Sequence, residues 1–364
     1  MKKIIFPIIA IIALFTLPGC SEKFKIAAPY KDITVVYGFL DMQDTAHYIR
    51  IQKAFLSQDK SALVMAQTPD SSFYANLNVK IRRFSFTDNV HPIDTIHLNR
   101  VNLDLEGYQK EPGSFFTAPN YAYKFTNQLN PNYIYRIVIT NLTTGKTDSA
   151  ETPIIDDVTP GKFYVDALDT NAHIFLDFHN TVGNKYFEMQ GYFLPPVNFF
   201  FHYQSNPVVI AQAIVRFNWD DSNIATHQLT PHYYDYNTGY FNFTNNSIDF
   251  KIYNNSLYSA IASALITANP LPPNTARLLN KSEIYVYIST QDFLNYQQNS
   301  LTQGTGLTGS EIEPIYSNIS GDNAIGLFTS RGMHASRITI SKETIDSLMQ
   351  SPILHDANIQ GRIY

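Results

Sequence analysis

The sequence has almost no cysteine. Cys20 is the only one among 364 residues, so no disulfide can form within the chain. The absence of further thiols suits an oxidising compartment, where a free thiol is a liability. If Cys20 itself is modified, cysteine-based catalysis is excluded as well. The position of this one cysteine, near the N-terminus, is therefore informative.

Charged residues are also scarce. Asp, Glu, Lys and Arg make up 16% of the chain, and the formal net charge is −5 at pH 7, whereas about a quarter of a typical soluble domain is charged. The acidic balance argues against nucleic acid or an anionic membrane surface as a partner. Aromatic residues, by contrast, reach 14%, and this composition favours β-structure over helix.

Signatures of known catalytic chemistry are missing. No G-x-S-x-G nucleophile elbow occurs in the sequence. The glycine-rich stretch TQGTGLTG (302–309) lacks the Lys-Ser/Thr ending of a phosphate-binding loop, and HQLTPH (227–232) lacks the histidine spacing of a metalloprotease. We therefore predict no catalytic residue and no cofactor.

Long apolar runs are missing except at the N-terminus. There two lysines precede an apolar stretch, residues 4–17, whose length fits a signal peptide and not a membrane-spanning helix. The sequence L-P-G-C that ends at Cys20 resembles a bacterial lipobox, in which the signal is cut before an acylated cysteine. We interpret residues 1–19 as a lipoprotein signal peptide and 20–32 as a lipidated tether, and the alternative is an ordinary secretory signal. Acylated Cys20 is expected to anchor the protein in a lipid bilayer.

The first part of the chain after the tether alternates between apolar and polar residues. HYIRIQKAF (47–55) and NLNVKIRRFSF (76–86) both have the period of two that is typical of half-buried strands. The pattern predicts an antiparallel sandwich over residues 33–155, similar to an immunoglobulin or fibronectin domain. Tyr133 or Tyr135 is a candidate for a tyrosine corner, in which the hydroxyl bonds to the backbone upstream.

The second part of the chain combines strands with a few helices. The proline-containing stretch ETPIIDDVTPGK (151–162) marks the predicted domain boundary. The remainder, 156–364, is expected to be β-rich, with short helices near 255–269, 289–301 and 341–349. The predicted fold class is therefore mainly β, with a sandwich followed by a second β-rich domain.

One order of segments is similar to a known family. The helix pattern STQDFLNYQQNSL (289–301) precedes EIEPIYSNISGDNAIGLFTSR (311–331), and this order resembles an uncharacterised family of Bacteroidota outer-membrane lipoproteins. The matching residues are Pro314, Ile315, Tyr316, Ser317, Asn318, Ile319, Gly326 and Phe328. The resemblance implies a location at the outer membrane, on its periplasmic or cell-surface side. Members are often encoded beside TonB-dependent receptors, so it also implies an accessory role at an outer-membrane receptor. It implies no activity, because the family has none established.

Three residues in AHIFLDFHN are candidate metal ligands. Strand periodicity places His173, Asp177 and His179 on one face, and imidazole and carboxylate groups suit a divalent ion. We favour a solvent-facing polar side of the strand over a metal site, because no fourth ligand is evident.

Two aromatic stretches are candidates for a binding surface, namely YFLPPVNFFFHYQ (192–204) and PHYYDYNTGYFNF (231–243). Three aromatics in a row cannot all face one side of a strand, and an exposed aromatic cluster marks an interaction site. The competing interpretation is that these aromatics face the core of long strands. The candidate binding residues are Phe199, Phe200, Phe201, Tyr233, Tyr234 and Tyr236.

Three hypotheses for function follow. The first is a surface binding or accessory module for an outer-membrane receptor. The second is a surface hydrolase acting on glycan or peptide, which would bring two carboxylates or a Ser–His pair into one cleft. The third is a purely structural envelope component, which would lack a sizeable concave site.

The lipobox interpretation can be tested by the change Cys20→Ala. Without the thiol there is no acyl acceptor, so the variant is expected to leave the membrane fraction or to remain unprocessed. The measurement is incorporation of labelled palmitate together with membrane fractionation. Palmitate incorporation at the level of the unaltered protein would show that Cys20 is not the lipidated residue.

Overall fold

The described part of the chain is mainly β. The computed structural model describes residues 33–54, 61–156, 163–165, 175–192, 195–196, 198–203, 207–242, 247–304 and 316–363. Its strands form one mixed sheet of 11 strands and two smaller sheets of four and three strands. The predicted tether, together with Cys20, lies outside the described residues.

The strands are β1 (Ile33–Asp41), β2 (His47–Ala54), β3 (Leu77–Ser85), β4 (Asp94–His97), β5 (Asn99–Asn102), β6 (Tyr121–Phe125), β7 (Tyr133–Asn141), β8 (Thr147–Pro153), β9 (Phe163–Val165), β10 (Phe175–Leu176), β11 (Tyr186–Tyr192), β12 (Val208–Asn223), β13 (Leu229–Asn242), β14 (Ser247–Tyr253), β15 (Thr275–Leu279), β16 (Ser282–Thr290), β17 (Ala324–Ile340) and β18 (Ile359–Arg362). The helices are α1 (Ala62–Ala66), α2 (Pro69–Ser72), α3 (Asn254–Ser263), α4 (Gln291–Gly304) and α5 (Lys342–Gln350). Shorter turns are the 3-10 turns Leu103–Glu106, Phe199–Phe201 and His355–Ala357 and the π-helical turn Ala264–Ala268.

Two antiparallel layers in the first part of the chain face each other. The four-stranded sheet has the order β4-β3-β7-β8, and the layer opposite it is the β1-β2-β6-β5 end of the large sheet. Alternation explains the packing, because Val79 and Ile81 of β3 are buried, whereas Lys80 between them is half-buried and Arg82 after them is exposed. Their partners across the layer include Ile49 of β2 and Phe125 of β6. The predicted sandwich-like, mainly β architecture is therefore present.

Tyr135 ties the start of β7 to the turn before it. Its side chain is fully buried, and its hydroxyl accepts a hydrogen bond of 2.9 Å from the backbone N–H of Asn130. Tyr133 instead lies partly exposed with the guanidinium of Arg83 over its ring. Of the two tyrosine-corner candidates, Tyr135 makes the hydroxyl-to-backbone bond.

The second part of the chain builds its core on one face of the large sheet. Long strands β12, β16 and β17 supply alternating buried residues, and α3 and α5 cover them. Phe217 and Trp219 of β12 pack there together with Leu257 of α3 and Leu348 of α5. The opposite face is covered in part by α4, which contacts β12, β16 and β17.

A buried cation holds the π-helical turn that follows α3 to the sheet. Arg277 on β15 is completely buried, and its Nε donates to the carboxylate of Asp221 on β12 at 3.0 Å. Its two terminal amino groups donate to the carbonyl oxygens of Leu265 and Asn269, each at 2.5 Å. These carbonyls end the helical segment and lack helical partners. The Arg277 side chain therefore supplies hydrogen-bond donors to the carbonyl groups at the helix end, and Asp221 neutralises its charge.

The large sheet passes through both predicted domains. Strand β17 pairs in parallel with β1 over residues 324–331 and antiparallel with β16 over 331–338. The buried cores nevertheless change at the predicted boundary, since Ile154 belongs to the first core and Ile155 to the second. The division into domains 33–155 and 156–364 stays a prediction. One sheet continues across this boundary, and each side of the boundary has its own core.

Helices occur at all three predicted places, as α3, α4 and α5. The helix α4 begins one residue after Thr290, whose hydroxyl accepts from the backbone N–H of Phe293 at 3.4 Å, which is the expected N-cap geometry. Residues 199–201 form a 3-10 turn, so the strand alternation used to argue that these three aromatics cannot share one face does not apply to them. The Pro195–Pro196 pair just before them cannot continue a strand ladder, because proline has no N–H.

Gly326 is the residue that allows β17 to approach β1. Its φ is +129°, and a Cβ there would lie 1.9 Å from the carbonyl oxygen of Val36. The change Gly326→Ala combines backbone strain with a clash against main chain, and we expect it to lower the free energy of unfolding by about 3 kcal/mol or more. Chemical denaturation with far-UV circular dichroism measures this loss.

Gly107→Ala is the matched control for that change. Gly107 also has a positive φ, +91°, but a Cβ there would meet nothing within 4 Å. The control therefore carries only the backbone cost, about 1 kcal/mol. Equal losses for the two variants would show that the close approach of β17 to β1 is not what Gly326 provides.

Candidate functional site

Helix α4 lies over the place where β1 meets β17. Its first turn is held by Thr290 and carries Asp292, an acidic residue where the helix dipole favours one. Its inward side packs by edge-to-face aromatic contacts, with ring centroids 5.8 Å apart for Phe293 and Phe39 and 6.1 Å for Tyr296 and Tyr37. Two concave sites flank this helix, which we call the aromatic pocket and the polar cleft.

The aromatic pocket lies between α4 and the large sheet and has a volume of about 310 Å³. Aromatic and aliphatic side chains form most of its wall, and three polar side chains contribute. Its lining residues are Phe39, Ile210, Ala211, Gln212, Ile214, Tyr240, Tyr287, Ile288, Ser289, Phe293 and Arg331. A largely apolar cavity with a few polar groups is the usual form of a small-molecule site.

Arg331 is the one charged residue in the wall of this pocket. Its Nε donates to Asp41 at 3.0 Å, and its guanidinium lies 5.7 Å from the ring centre of Tyr287. Its side chain is 46% exposed, and its terminal amino groups donate to none of the described residues. Gln212 is already engaged, because its amide donates to Asn237 at 3.1 Å. The pocket can therefore offer an apolar wall and one cationic donor.

The polar cleft lies at the N-terminal end of α4, where the sandwich meets the second part of the chain. Its volume is about 470 Å³. Strands β7 and β8, the first turn of α4, the turn after Phe199–Phe201 and the segment before β17 all contribute to its wall. The lining residues are Arg136, Ser149, Ala150, Glu151, Pro153, Tyr203, Asp292, Asn318 and Ser320.

Glu151 is held in the cleft by Arg136, which is cationic, and by His202, which is cationic only when it is protonated. Arg136 donates to its Oε2 through Nε and a terminal amino group at 3.0 and 2.7 Å. His202 Nε2 lies 3.1 Å from its Oε1. Burial alone would raise the pKa of Glu151, but the hydrogen bonds from Arg136 and His202 outweigh burial and hold this pKa below its ordinary value. The group is therefore a carboxylate at neutral pH.

Asp292 is held by a separate set of neighbours. It accepts hydrogen bonds from the hydroxyl of Tyr316 and from the side-chain amide of Asn318, the latter at 3.1 Å. Asn318 also donates to the carbonyl of Phe328 at 2.8 Å and accepts from the N–H of the same residue at 3.0 Å. Burial, together with the bond to Asp292, raises the pKa of Tyr316 to about 12. Three residues that carry the family resemblance thus fix the position of this carboxylate.

Tyr203 lines the polar cleft together with these two carboxylates. Its ring stacks on Phe199, with centroids 4.7 Å apart. The hydroxyl oxygen is buried and has no hydrogen-bond partner among the described residues. Burial and, to a lesser degree, the nearby charges of Glu151 and Asp292 raise the pKa of Tyr203 well above its ordinary value. The hydroxyl therefore keeps its proton.

The candidate metal ligands are only partly brought together. His173 lies outside the described residues. His179 Nδ1 lies 2.5 Å from Asp177 Oδ1, and that carboxylate also accepts from the hydroxyls of Ser341 and Thr344 at the start of α5. Within the described ranges, no three His, Cys, Asp or Glu residues cluster to hold a metal ion. Asp177 has a local structural role, since it fixes the N-terminus of α5 against β10.

The six aromatic candidates separate into buried and exposed residues. Phe199 is 1% exposed, whereas Phe200 and Phe201 are 56% and 75% exposed. Tyr233 is 59% exposed on the edge strand β13, beside Arg216. Tyr234 and Tyr236 of the same strand pack partly buried against the second core. Whether the exposed members bind a partner stays a prediction.

Apart from Asn318, which carries the family resemblance, the residues of the two concave sites are not identified from the sequence. The sequence does indicate that Phe293 and Tyr296 lie on one face of a helix, because they are three residues apart in a predicted helix. Glu151 and Tyr203 carry no such signal, since they lie in different segments and line one cleft only in the folded chain. Arg331 likewise meets the other walls of the aromatic pocket only in the folded chain.

No model of a known protein family matches this sequence, and no curated protein matches it. Within the described residues, every helix is too short or too polar to cross a membrane.

Proposed function

We propose that this protein is a lipid-anchored binding module of the bacterial outer membrane that serves a TonB-dependent receptor. The observation that carries the binding role is the aromatic pocket beneath α4, about 310 Å³ in volume. The anchoring rests on the lipobox-like sequence at Cys20, and the receptor rests on the family resemblance of residues 311–331. A purely structural component has no need for such a pocket.

The ligand of the aromatic pocket is a small molecule with an apolar body and one anionic group. Four aromatic rings and three isoleucines line the wall and favour an apolar body. The terminal amino groups of Arg331 donate to no described residue. They would therefore form a charge-assisted hydrogen bond with an anionic group of the ligand. The pocket's volume lies at the small end of the range for drug-sized ligands.

For the first part of the chain we propose an immunoglobulin- or fibronectin-like fold. The order β1-β2-β6-β5 in one layer and β3-β7-β8 in the other corresponds to strands A-B-E-D and C-F-G of that fold. Tyr135 lies near the start of the strand that corresponds to F, where the tyrosine corner of the fold occurs. Such domains commonly present ligands or partners at the cell surface.

A surface hydrolase is the second candidate, because Glu151 and Asp292 both line the polar cleft. Hydrolysis of a glycoside requires one carboxyl group that keeps its proton near neutral pH and acts as the acid. The lowered pKa of Glu151 does not fit that role. Glu151 is therefore not the acid of such a pair, and we prefer the binding role because the aromatic pocket supports it independently.

The aromatic pocket can be tested with 1-anilinonaphthalene-8-sulfonate, an aromatic fluorescent anion. The native protein is expected to bind it with enhanced fluorescence. Arg331→Gln should weaken binding about tenfold, since one charge-assisted hydrogen bond contributes about 1.5 kcal/mol. Fluorescence titration gives the dissociation constants, and melting curves show whether each variant is folded.

The control for this test is Arg337→Gln. Arg337 lies on the same strand, is exposed, and is not part of the pocket wall. Phe293→Ala is a second test variant, which removes one aromatic side chain from the pocket wall and leaves the ion pair of Arg331 with Asp41 in place. If Arg331→Gln and Phe293→Ala bind the probe as tightly as Arg337→Gln does, the aromatic pocket is not the binding site.

The receptor can be tested by chemical cross-linking in intact cells and recovery of the tagged protein from the outer membrane. We expect a TonB-dependent receptor in the recovered material. The double change Phe200→Ala, Phe201→Ala should reduce its recovery at least tenfold, because exposed aromatics that anchor an interface often contribute more than about 2 kcal/mol. Ile353→Ala, also at an exposed apolar residue, is the control. Absence of any such receptor from the native sample would refute this part of the proposal.

A further inference from the structure

We infer that the polar cleft is a second ligand site and that it binds a neutral polyhydroxyl ligand, of the class of sugar rings. The hydroxyl of Tyr203 and the carboxylates of Glu151 and Asp292 would contact it. This inference does not depend on the role proposed for the aromatic pocket, which has different walls and a different chemistry.

The first step concerns the hydroxyl of Tyr203. A buried hydroxyl without a partner is unfavourable in the folded protein, and this one is held in place by the stack on Phe199. The same stack with phenylalanine would avoid the cost. Because the hydroxyl keeps its proton, it needs an acceptor, and none of the described residues supplies one. A ligand in the cleft would supply it.

The second step concerns the groups beside that hydroxyl. Each ionised carboxylate offers about four lone-pair positions, and Glu151 and Asp292 each use only part of theirs. Ser149 and Ser320 add hydroxyl groups that both donate and accept. The ligand must therefore donate to the carboxylates and accept from Tyr203 within one small volume. A hydroxyl group does both, and several adjacent hydroxyls match the whole wall.

The third step concerns charge. Glu151 and Asp292 carry two negative charges, and Arg136 carries one positive charge that already faces Glu151. An anionic ligand would meet a net negative wall. An ammonium group has donors only, so it would leave the Tyr203 hydroxyl without an acceptor. A neutral polyhydroxyl ligand avoids both problems, and a cleft of about 470 Å³ has room for one or two sugar rings.

The test is the change Tyr203→Phe, which keeps the ring and removes the hydroxyl. The probe is an array of neutral oligosaccharides, followed by calorimetric titration with the best-bound oligosaccharide. We expect the native protein to bind and Tyr203→Phe to bind about tenfold more weakly. The melting temperature of the variant should be unchanged or higher, because it no longer buries an unpartnered polar atom.

Tyr285→Phe is the matched control. The Tyr285 hydroxyl also lies beside a carboxylate, but it donates to Glu283 at 2.8 Å and lies outside the cleft. This change should lower the melting temperature and leave binding of the oligosaccharide unaltered. Asp292→Asn is a second variant in the cleft, and it should weaken binding as well.

Three outcomes would overturn the inference. The first is that no neutral oligosaccharide binds the native protein. The second is binding that is equally strong in Tyr203→Phe and Tyr285→Phe. The third is binding of ethanolamine or inorganic phosphate that depends on Tyr203 while oligosaccharides do not bind, since that would assign the cleft to a cation or an anion.

Discussion

The structure depends on the parallel pairing of β1 with β17, a contact between residues almost 300 positions apart in the chain. Eight consecutive residue pairs form this contact, from Thr34 with Ala324 to Asp41 with Arg331. The close approach is possible because Gly326 has no side chain where Val36 presents its carbonyl group. Without this pairing the two cores would share no sheet, and the sandwich would be held to the rest of the chain by smaller contacts such as that of His202 with Glu151.

Both concave sites follow from that pairing. It brings Phe39 at the end of β1 and Arg331 in the middle of β17 to the same place, and α4 then covers them. Two neighbouring residues of α4 serve different sites, since Asp292 lines the polar cleft and Phe293 lines the aromatic pocket. A change in the position of this helix would therefore alter both sites together. Its inward side is only half-buried, so its packing is less extensive than that of the core helices α3 and α5.

The two sites differ in how strongly the surrounding residues fix them. In the polar cleft, Asn318 bonds to Asp292 and to both backbone groups of Phe328, and Arg136 bonds twice to Glu151. Such bonds hold carboxylates in fixed orientations, which favours selective recognition of a ligand. The aromatic pocket is bounded mostly by apolar contacts, which fix shape less strictly and tolerate a wider range of ligands.

The sequence by itself determined the local structure of most elements. Alternation in segments such as 76–86 predicts strands because successive side chains of a strand point to opposite faces. Apolar spacing predicts the three helices, and the type of residue at position 341 agrees with a helix start, since the Ser341 hydroxyl accepts from the N–H of Thr344. The 3-10 turn at 199–201 has no such local signal, because a run of aromatics has strand propensity whether or not a neighbouring strand is available for pairing.

Only the tertiary structure decided which distant residues meet. Tyr203, Glu151 and Asp292 come from a turn, a strand and a helix that are far apart in sequence, and no local pattern encodes their proximity. The same holds for the parallel contact of β1 with β17, because strand periodicity specifies which face is buried but not which strand lies alongside. Local rules depend on the nearest few residues, whereas a site formed across the chain depends on long-range packing, and for that reason the sites were found in the fold and not in the sequence.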